Sequence, residues 1–173
     1  PRRRWYAERM TEMTEPDYDV IVLGAGPVGE NIADRAVRGG LTAVLVEHEL
    51  VGGECSYWAC IPSKTLLRPL EVLARARLAP GAAEAVSAVD AERVFRWRDE
   101  IAEKDDTSQA DWLDKQGAEL VRGTGVVAEP GLVQVDGREL TYDHLVVATG
   151  SLPVTPPVEG LAEANHWGSR EAT

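Results

Sequence analysis

Long apolar runs are absent from this chain. No stretch reaches the ~20 residues that a membrane-crossing helix needs, and no repeat or low-complexity block interrupts it. Cysteine is scarce, with only Cys55 and Cys60. The three histidines, His48, His144 and His166, are not at zinc-finger spacing, so no metal site is expected from so few ligands. Positive charge is also short. Asp and Glu number 29 against 18 Lys and Arg, giving a formal net charge of −11, which argues against a general nucleic-acid surface. No signal peptide is visible, so a cytoplasmic chain with reduced thiols is expected. The chain does not begin with Met, and Met10 and Met13 closely precede the first expected strand. Residues 1–16, basic at their start, are expected to be a disordered or non-native extension. A short basic tail is more often solvated than a membrane or nucleic-acid arm.

What the chain does contain begins at Asp19. Asp19–Leu23 is a short apolar run rich in β-branched residues, as in a strand buried on both faces. Gly24-Ala25-Gly26-Pro27-Val28-Gly29 follows at once. Ile32, Ala33, Ala36 and Val37 then recur at helical spacing up to Gly39-Gly40, and Thr42–Val46 forms a second strand with Glu47 at its end. Each residue type has a physical purpose in a dinucleotide site. Gly24 permits the tight turn, Gly26 lets a backbone approach a pyrophosphate, and Gly29 lets helix and strand pack closely. Pro27 suits a first helical turn. The helix N-terminus offers N–H groups to phosphate, and Glu47 is placed for ribose hydroxyls. The alternative is a glycine-rich turn with a surface glutamate. The fingerprint alone does not separate FAD from NAD.

Gly52-Gly53-Glu54-Cys55-Ser56-Tyr57-Trp58-Ala59-Cys60-Ile61-Pro62-Ser63-Lys64 holds both thiols. Two cysteines five residues apart in a regular helix lie on different faces, ~7.5 Å apart along the axis, beyond comfortable disulfide geometry. Cys55 is therefore expected in the turn after Gly52-Gly53, at or before a helix start, and Cys60 in a distorted first turn or two. A helix N-terminus favours a thiolate, and Lys64 is one turn past Cys60. The Glu54 carboxylate is expected to disfavour a thiolate at Cys55. The plainer readings are two unrelated core cysteines and a solvated surface lysine.

The segment Gly-Gly-x-Cys-x-x-x-x-Cys-x-Pro-Ser-Lys resembles the redox-active segment of the class I pyridine nucleotide-disulfide oxidoreductases, among them dihydrolipoamide dehydrogenase, mercuric reductase and glutathione reductase. The resemblance implies FAD on the glycine fingerprint, with Cys55 as the thiol that attacks substrate and Cys60 as the thiol against the flavin. Lys64 would lie near the reactive edge of the ring. Gly52 and Gly53 join the cofactor-binding set. Ala148-Thr149-Gly150, at the end of a strand from Thr141, resembles the family's second flavin-domain motif, and Gly125 is expected at the adenine end. This chain departs from the family at Glu54, where Thr is usual, and in its bulky Tyr57-Trp58 spacer. The spacer bears on substrate access, and both departures bear on which substrate is used.

The remainder fits an α/β class, a Rossmann-like parallel sheet with a small antiparallel β-meander. Pro62–Ala79 is expected to be helical with a kink or restart at Pro69. Asp90–Gln116 is expected to be one longer helical stretch, with Val94, Trp97, Ile101, Ser108 and Trp112 as its stripe. Glu119–Arg122 reads as a third parallel strand, and 125–128, 132–135 and 138–141 as the meander. Leu145–Ala148 then rejoins the main sheet. Residues 17–152 are expected to be the FAD-binding domain with its cysteine pair. Residues 153–173, with Pro153, Pro156 and Pro157, are expected to be a linker toward an NAD(P)-binding domain. The family's second fingerprint, later Gly-Asp motif and His-Glu pair do not occur here. The resemblance thus implies a fragment that alone binds FAD weakly and lacks full turnover.

As a whole protein the family implies NAD(P)H as co-substrate, a homodimer, and a small-molecule disulfide, lipoyl or metal-ion substrate. The residues also admit a non-catalytic dinucleotide-binding module, a thiol redox sensor, or an NAD-binding domain with incidental cysteines. The sequence does not distinguish NADH from NADPH or name the terminal acceptor.

Overall fold

The computed structural model describes residues 15–173, so the expected N-terminal extension falls, but for Glu15 and Pro16, outside the described residues. In chain order the elements are β1 (Tyr18–Leu23), α1 (Pro27–Arg38), β2 (Ala43–Glu47), α2 (Gly53–Tyr57), α3 (Cys60–Arg77), α4 (Ala91–Ile101), α5 (Thr107–Gln116), β3 (Glu119–Arg122), β4 (Gly125–Glu129), β5 (Leu132–Val135), β6 (Arg138–Val147) and α6 (Ser169–Ala172). Two compact units result. Among the described residues, one takes in those up to Val51 together with Ser108–Thr149; the other is Gly52–Thr107 with Gly150–Thr173.

The first unit is built on a six-stranded sheet in the order β3-β2-β1-β6-β5-β4. β1 pairs in parallel with both β2 and β6, and β2 with β3. β4, β5 and the start of β6 are antiparallel. Alternation divides the core between the two faces. Val20, Val22, Ala43 and Leu45 pack with Ala33 of α1 and Leu113 of α5. Ile21, Leu23, Val44 and Val46 pack with Val133 and Val135 of β5 and with Leu140 and Tyr142 of β6. Leu45 and Ile21 are fully buried, and truncating either to Ala costs about 2–5 kcal/mol.

The expected meander is present, but the pieces expected at 138–141 and 145–148 are one ten-residue strand. In its first half β6 pairs with β5, Leu132 opposite Thr141. In its second half it runs parallel to β1, Leu23 opposite Val147. Tyr142 continues the buried alternation through the intervening residues, so nothing in the chain forces a turn there.

Two helical expectations need correction. The stretch expected over Asp90–Gln116 is two helices, interrupted at 102–106. The Asp105 carboxylate accepts hydrogen bonds from Thr107 N–H at 2.9 Å and from its hydroxyl at 2.5 Å, which restarts the helix as a local side-chain cap does. The interruption resets the helical phase. Leu113 is therefore the fully buried residue of α5, while Trp112 is exposed. In the second unit, α3 is one helix through Pro69, so of the kink or restart expected there the restart does not occur. Pro69, Val72, Leu73 and Ala76 line one side of a groove of about 560 Å³, with Val94 and Trp97 of α4 on the other.

The start of β1 is clamped to both neighbours by matched Asp–Thr pairs. Asp17 N–H donates to Thr141 Oγ1 at 2.9 Å, and Thr141 N–H returns a bond to the Asp17 carboxylate at 2.9 Å. Asp19 and Thr42 repeat the arrangement at 2.8 and 2.7 Å. These bonds from the Thr141 and Thr42 backbone N–H groups and hydroxyls hold both carboxyls below the usual 3.8. A lowered native pKa favours the ionised folded form, so the contribution is present above about pH 4 and is lost as pH falls through the native value. Both carboxylates lie near solvent, which keeps the effect modest. An Asp17→Asn, Asp19→Asn double variant is expected to melt below the parent near neutral pH and to show a shallower loss of stability on acidification below about pH 4. Thermal unfolding by circular dichroism across that range checks it; parallel curves would contradict the clamp.

Candidate functional site

In the first unit, β1 ends in a turn that only glycine can make. Gly24 has φ 96°, and a Cβ there would lie 2.4 Å from the Ala148 carbonyl oxygen. The turn is tied on both sides: Gly24 N–H donates to Val46 O and Ala148 N–H to Leu23 O, both at 2.8 Å. Gly29 allows the close approach expected of it, since a Cβ would meet Gly24 O at 1.9 Å and Val22 Cγ1 at 3.3 Å. Gly26, by contrast, would meet nothing within 4 Å. The space beside it is open.

Gly26 is also the N-cap of α1, with Pro27 beginning the helix. The first-turn N–H groups of a helix have no acceptor within it, and they bring a partial positive charge. Glu47 is 7% exposed. Its carboxylate accepts from Ala25 N–H at 2.7 Å and from Glu49 N–H at 2.8 Å, which fixes it beside the glycine turn. A carboxylate retains further acceptor sites after two such bonds. An open cradle at a helix start with an acid at the next strand's end fits a dinucleotide's diphosphate and ribose. Thr149 and Gly150 continue from Ala148 and are exposed, Gly150 at φ 71°. Gly125 begins β4, where a Cβ would meet Leu23 Cδ2 at 2.7 Å; close packing over the sheet accounts for its lack of a side chain.

In the second unit, Gly52 and Gly53 have φ of 105° and 57° and lead directly into α2. Cys55 lies in the first turn of this short helix, at the helix start, one of the two expected places. The helix breaks at Trp58 (φ −133°, ψ −7°) and Ala59 (φ −132°, ψ −88°). Cys60 opens α3. The break removes the objection to two thiols five residues apart, because no single helix spans them. The two are free thiols joined by a hydrogen bond. That bond is the main cause pushing Cys55 above its ordinary value, with burial and the Cys60 charge adding to it. Lys64 and the Cys60 backbone N–H pull the other way. Lys64 is exposed, one turn along α3.

The expectation that Glu54 burdens Cys55 with a like charge is not met. Glu54 is absent from the groups that act on Cys55, and its carboxylate is ion-paired with Arg170 of α6, whose Nε donates at 2.6 Å. The Arg170 guanidinium lies 3.9 Å from the centroid of the Trp58 ring. Thr173 Oγ1 donates to Trp58 O at 2.6 Å. Sequence reasoning missed Arg170, which sits in the segment expected to be linker. Its only sequence signal is a basic residue in a chain short of them.

Removing the Cys60 side chain takes away the largest cause of the raised Cys55 value and leaves Lys64 acting. In a Cys60→Ala variant, alkylation of Cys55 by iodoacetamide, followed by mass spectrometry against pH, is expected to reach its half-maximal rate at lower pH than in the parent. An unchanged or higher midpoint would contradict the geometry.

Comparison with known proteins places these observations. The family model described as pyridine nucleotide-disulphide oxidoreductase matches residues 18–173. A mercuric reductase of Staphylococcus aureus is 29% identical over 159 residues, 90% of this chain and 29% of that protein. A dihydrolipoyl dehydrogenase of Acholeplasma laidlawii is 32% identical over 158 residues, 88% of this chain and 46% of that protein. The chain thus spans less than half the length of these relatives. The HOCl-induced flavoprotein disulfide reductase RclA from Escherichia coli shares the fold, with a TM-score of 0.66 at 21% identity over 82% of this chain and 30% of that one. With the sheet, the glycine turn and the paired thiols accounted for, and the match running from β1 to the last residue, the chain belongs to the pyridine nucleotide-disulphide oxidoreductase family.

Proposed function

We propose that this chain supplies the FAD-binding segment and the redox-active cysteine pair of a flavoprotein reductase. Electrons would pass from NAD(P)H through FAD to Cys55 and Cys60, and on to a small-molecule disulfide, a lipoyl group or a metal ion. The observation that carries the reading is the pair of hydrogen-bonded thiols across the α2–α3 break, in a chain that also has a glycine turn fitted to a dinucleotide. FAD, when bound, supplies the two-electron exchange between a nicotinamide hydride and a disulfide. Gly24, Gly26, Pro27, Gly29 and Glu47 would hold it, with Gly52, Gly53, Gly125, Ala148, Thr149 and Gly150 shaping its surroundings.

The thiol chemistry follows from exchange rules. The Cys55 sulfur attacks one sulfur of an acceptor disulfide; a mixed disulfide forms, and the first acceptor sulfur leaves and takes up a proton. The Cys60 sulfur then attacks Cys55, the internal disulfide closes, and the second acceptor thiol departs. Two electrons and two protons have moved from the dithiol to the acceptor. Lys64 favours the ionised pair through its charge. A cytoplasmic location suits a dithiol that must return to its reduced form, and a homodimer is the assembly proposed for the whole protein.

Titration with FAD at equilibrium, followed by flavin fluorescence and visible spectroscopy, tests the reading. The chain is expected to bind FAD weakly but saturably and, at saturating FAD, to show a long-wavelength band on reduction that Cys60→Ser abolishes and Cys55→Ser keeps. Saturable binding without that band in the parent would favour a binding module or redox sensor, and no saturable binding would sink the FAD assignment. Gly24→Ala is expected to weaken FAD binding at least about tenfold, since one backbone contact must open by more than an ångström for the new methyl. Titration of flavin fluorescence measures it.

A further inference from the structure

We propose that Arg170 is a positioning residue for the dithiol, shielding Cys55 from the neighbouring Glu54 carboxylate and holding α2 at both of its ends. The inference rests on the reading of Cys55 as the reacting thiol. Three observations carry it. First, Glu54 and Trp58 flank Cys55 in sequence and sit at the first turn and the C-cap of α2. One guanidinium reaches both, bonded to the carboxylate and stacked on the indole. Second, the side chains of Glu54 and Arg170 are 35% and 34% exposed, so the pair is screened less than a surface ion pair. Third, Trp58 is 7% exposed and T-stacked on Tyr57 at 5.6 Å, a fixed platform for a planar cation.

Among the described residues, two other segments bring titratable or charged groups toward the dithiol and the Trp58 platform. Cys60 and Lys64 face Cys55 from α3, and Lys104, before α5, lies 5.5 Å from the Trp58 ring centroid. None of these is bonded to the Glu54 carboxylate in the way Arg170 is. Among the described residues, loss of Arg170 therefore leaves the Glu54 carboxylate, on the residue adjacent to Cys55, without its ion-pair partner, and removes a side chain that joins the two ends of α2. Its planar fork also explains why arginine is present: lysine would keep the charge but could not bond and stack at once.

The test uses the flavin-free 173-residue chain in a Cys60→Ser background, where Cys55 is the single thiol. Iodoacetamide labelling is followed against pH. Arg170→Met is expected to slow labelling at neutral pH about threefold or more, with a matching upward move of the midpoint. Adding Glu54→Gln is expected to bring the rate back to within about twofold of the background, and Arg170→Lys to give an intermediate rate. A role confined to folding would not be reversed by Glu54→Gln. The proposal is overturned if Arg170→Met labels as the background does at every pH, or if the slow labelling persists in the double variant. Because no flavin is present, failure of FAD to bind would leave this result standing.

Discussion

The carboxyl edge of the sheet depends on the missing side chain at Gly24. Three strands end together there, and the turn out of β1 is bonded to β2 through Val46 and to β6 through Ala148. A methyl group would collide with main chain, which cannot swing aside as a flexible side chain can. With that approach permitted, α1 starts at the sheet edge with first-turn N–H groups that have no acceptor within the helix, Gly29 can lie against the turn, and Glu47 accepts from Ala25. The glycine fingerprint is thus a packing solution as much as a ligand motif, with open space beside Gly26.

The second unit solves a different problem. Two sulfurs must meet although their residues are five apart, and a continuous helix keeps them separate. The chain breaks the helix at Trp58-Ala59, so that the same short segment ends one helix and begins another. The bulky Trp58 does more than fill space, since its ring receives Arg170 and its carbonyl receives Thr173. Glu54 and Trp58, the positions read in the sequence as departures, meet on one partner.

Much of this was legible in the residues. β-branched runs gave β1 and β2, turn pairs gave the meander, and the fingerprint gave α1 with both of its ends. The failures have definite causes. Asp105 capping Thr107 is a local polar competition that a hydrophobic stripe conceals, and it carried Leu113 into the core in place of Trp112. Pro69 lies within one continuous helix, so a proline in the sequence does not mark a helix end here. Arg170 is more than a hundred residues from Glu54, and no local pattern encodes that meeting.

The double service of β6 carries a consequence for how the family can vary. The strand takes its register from an antiparallel partner on one side and a parallel partner on the other. The hairpin tips near Gly131 and Gly137 can lengthen without disturbing either ladder. One residue inserted around Tyr142 would turn every later side chain to the opposite face, displacing Ala148 from Gly24. Diversity among descendants of this architecture should therefore accumulate at the meander's tips, with the middle of that long strand held to a constant length.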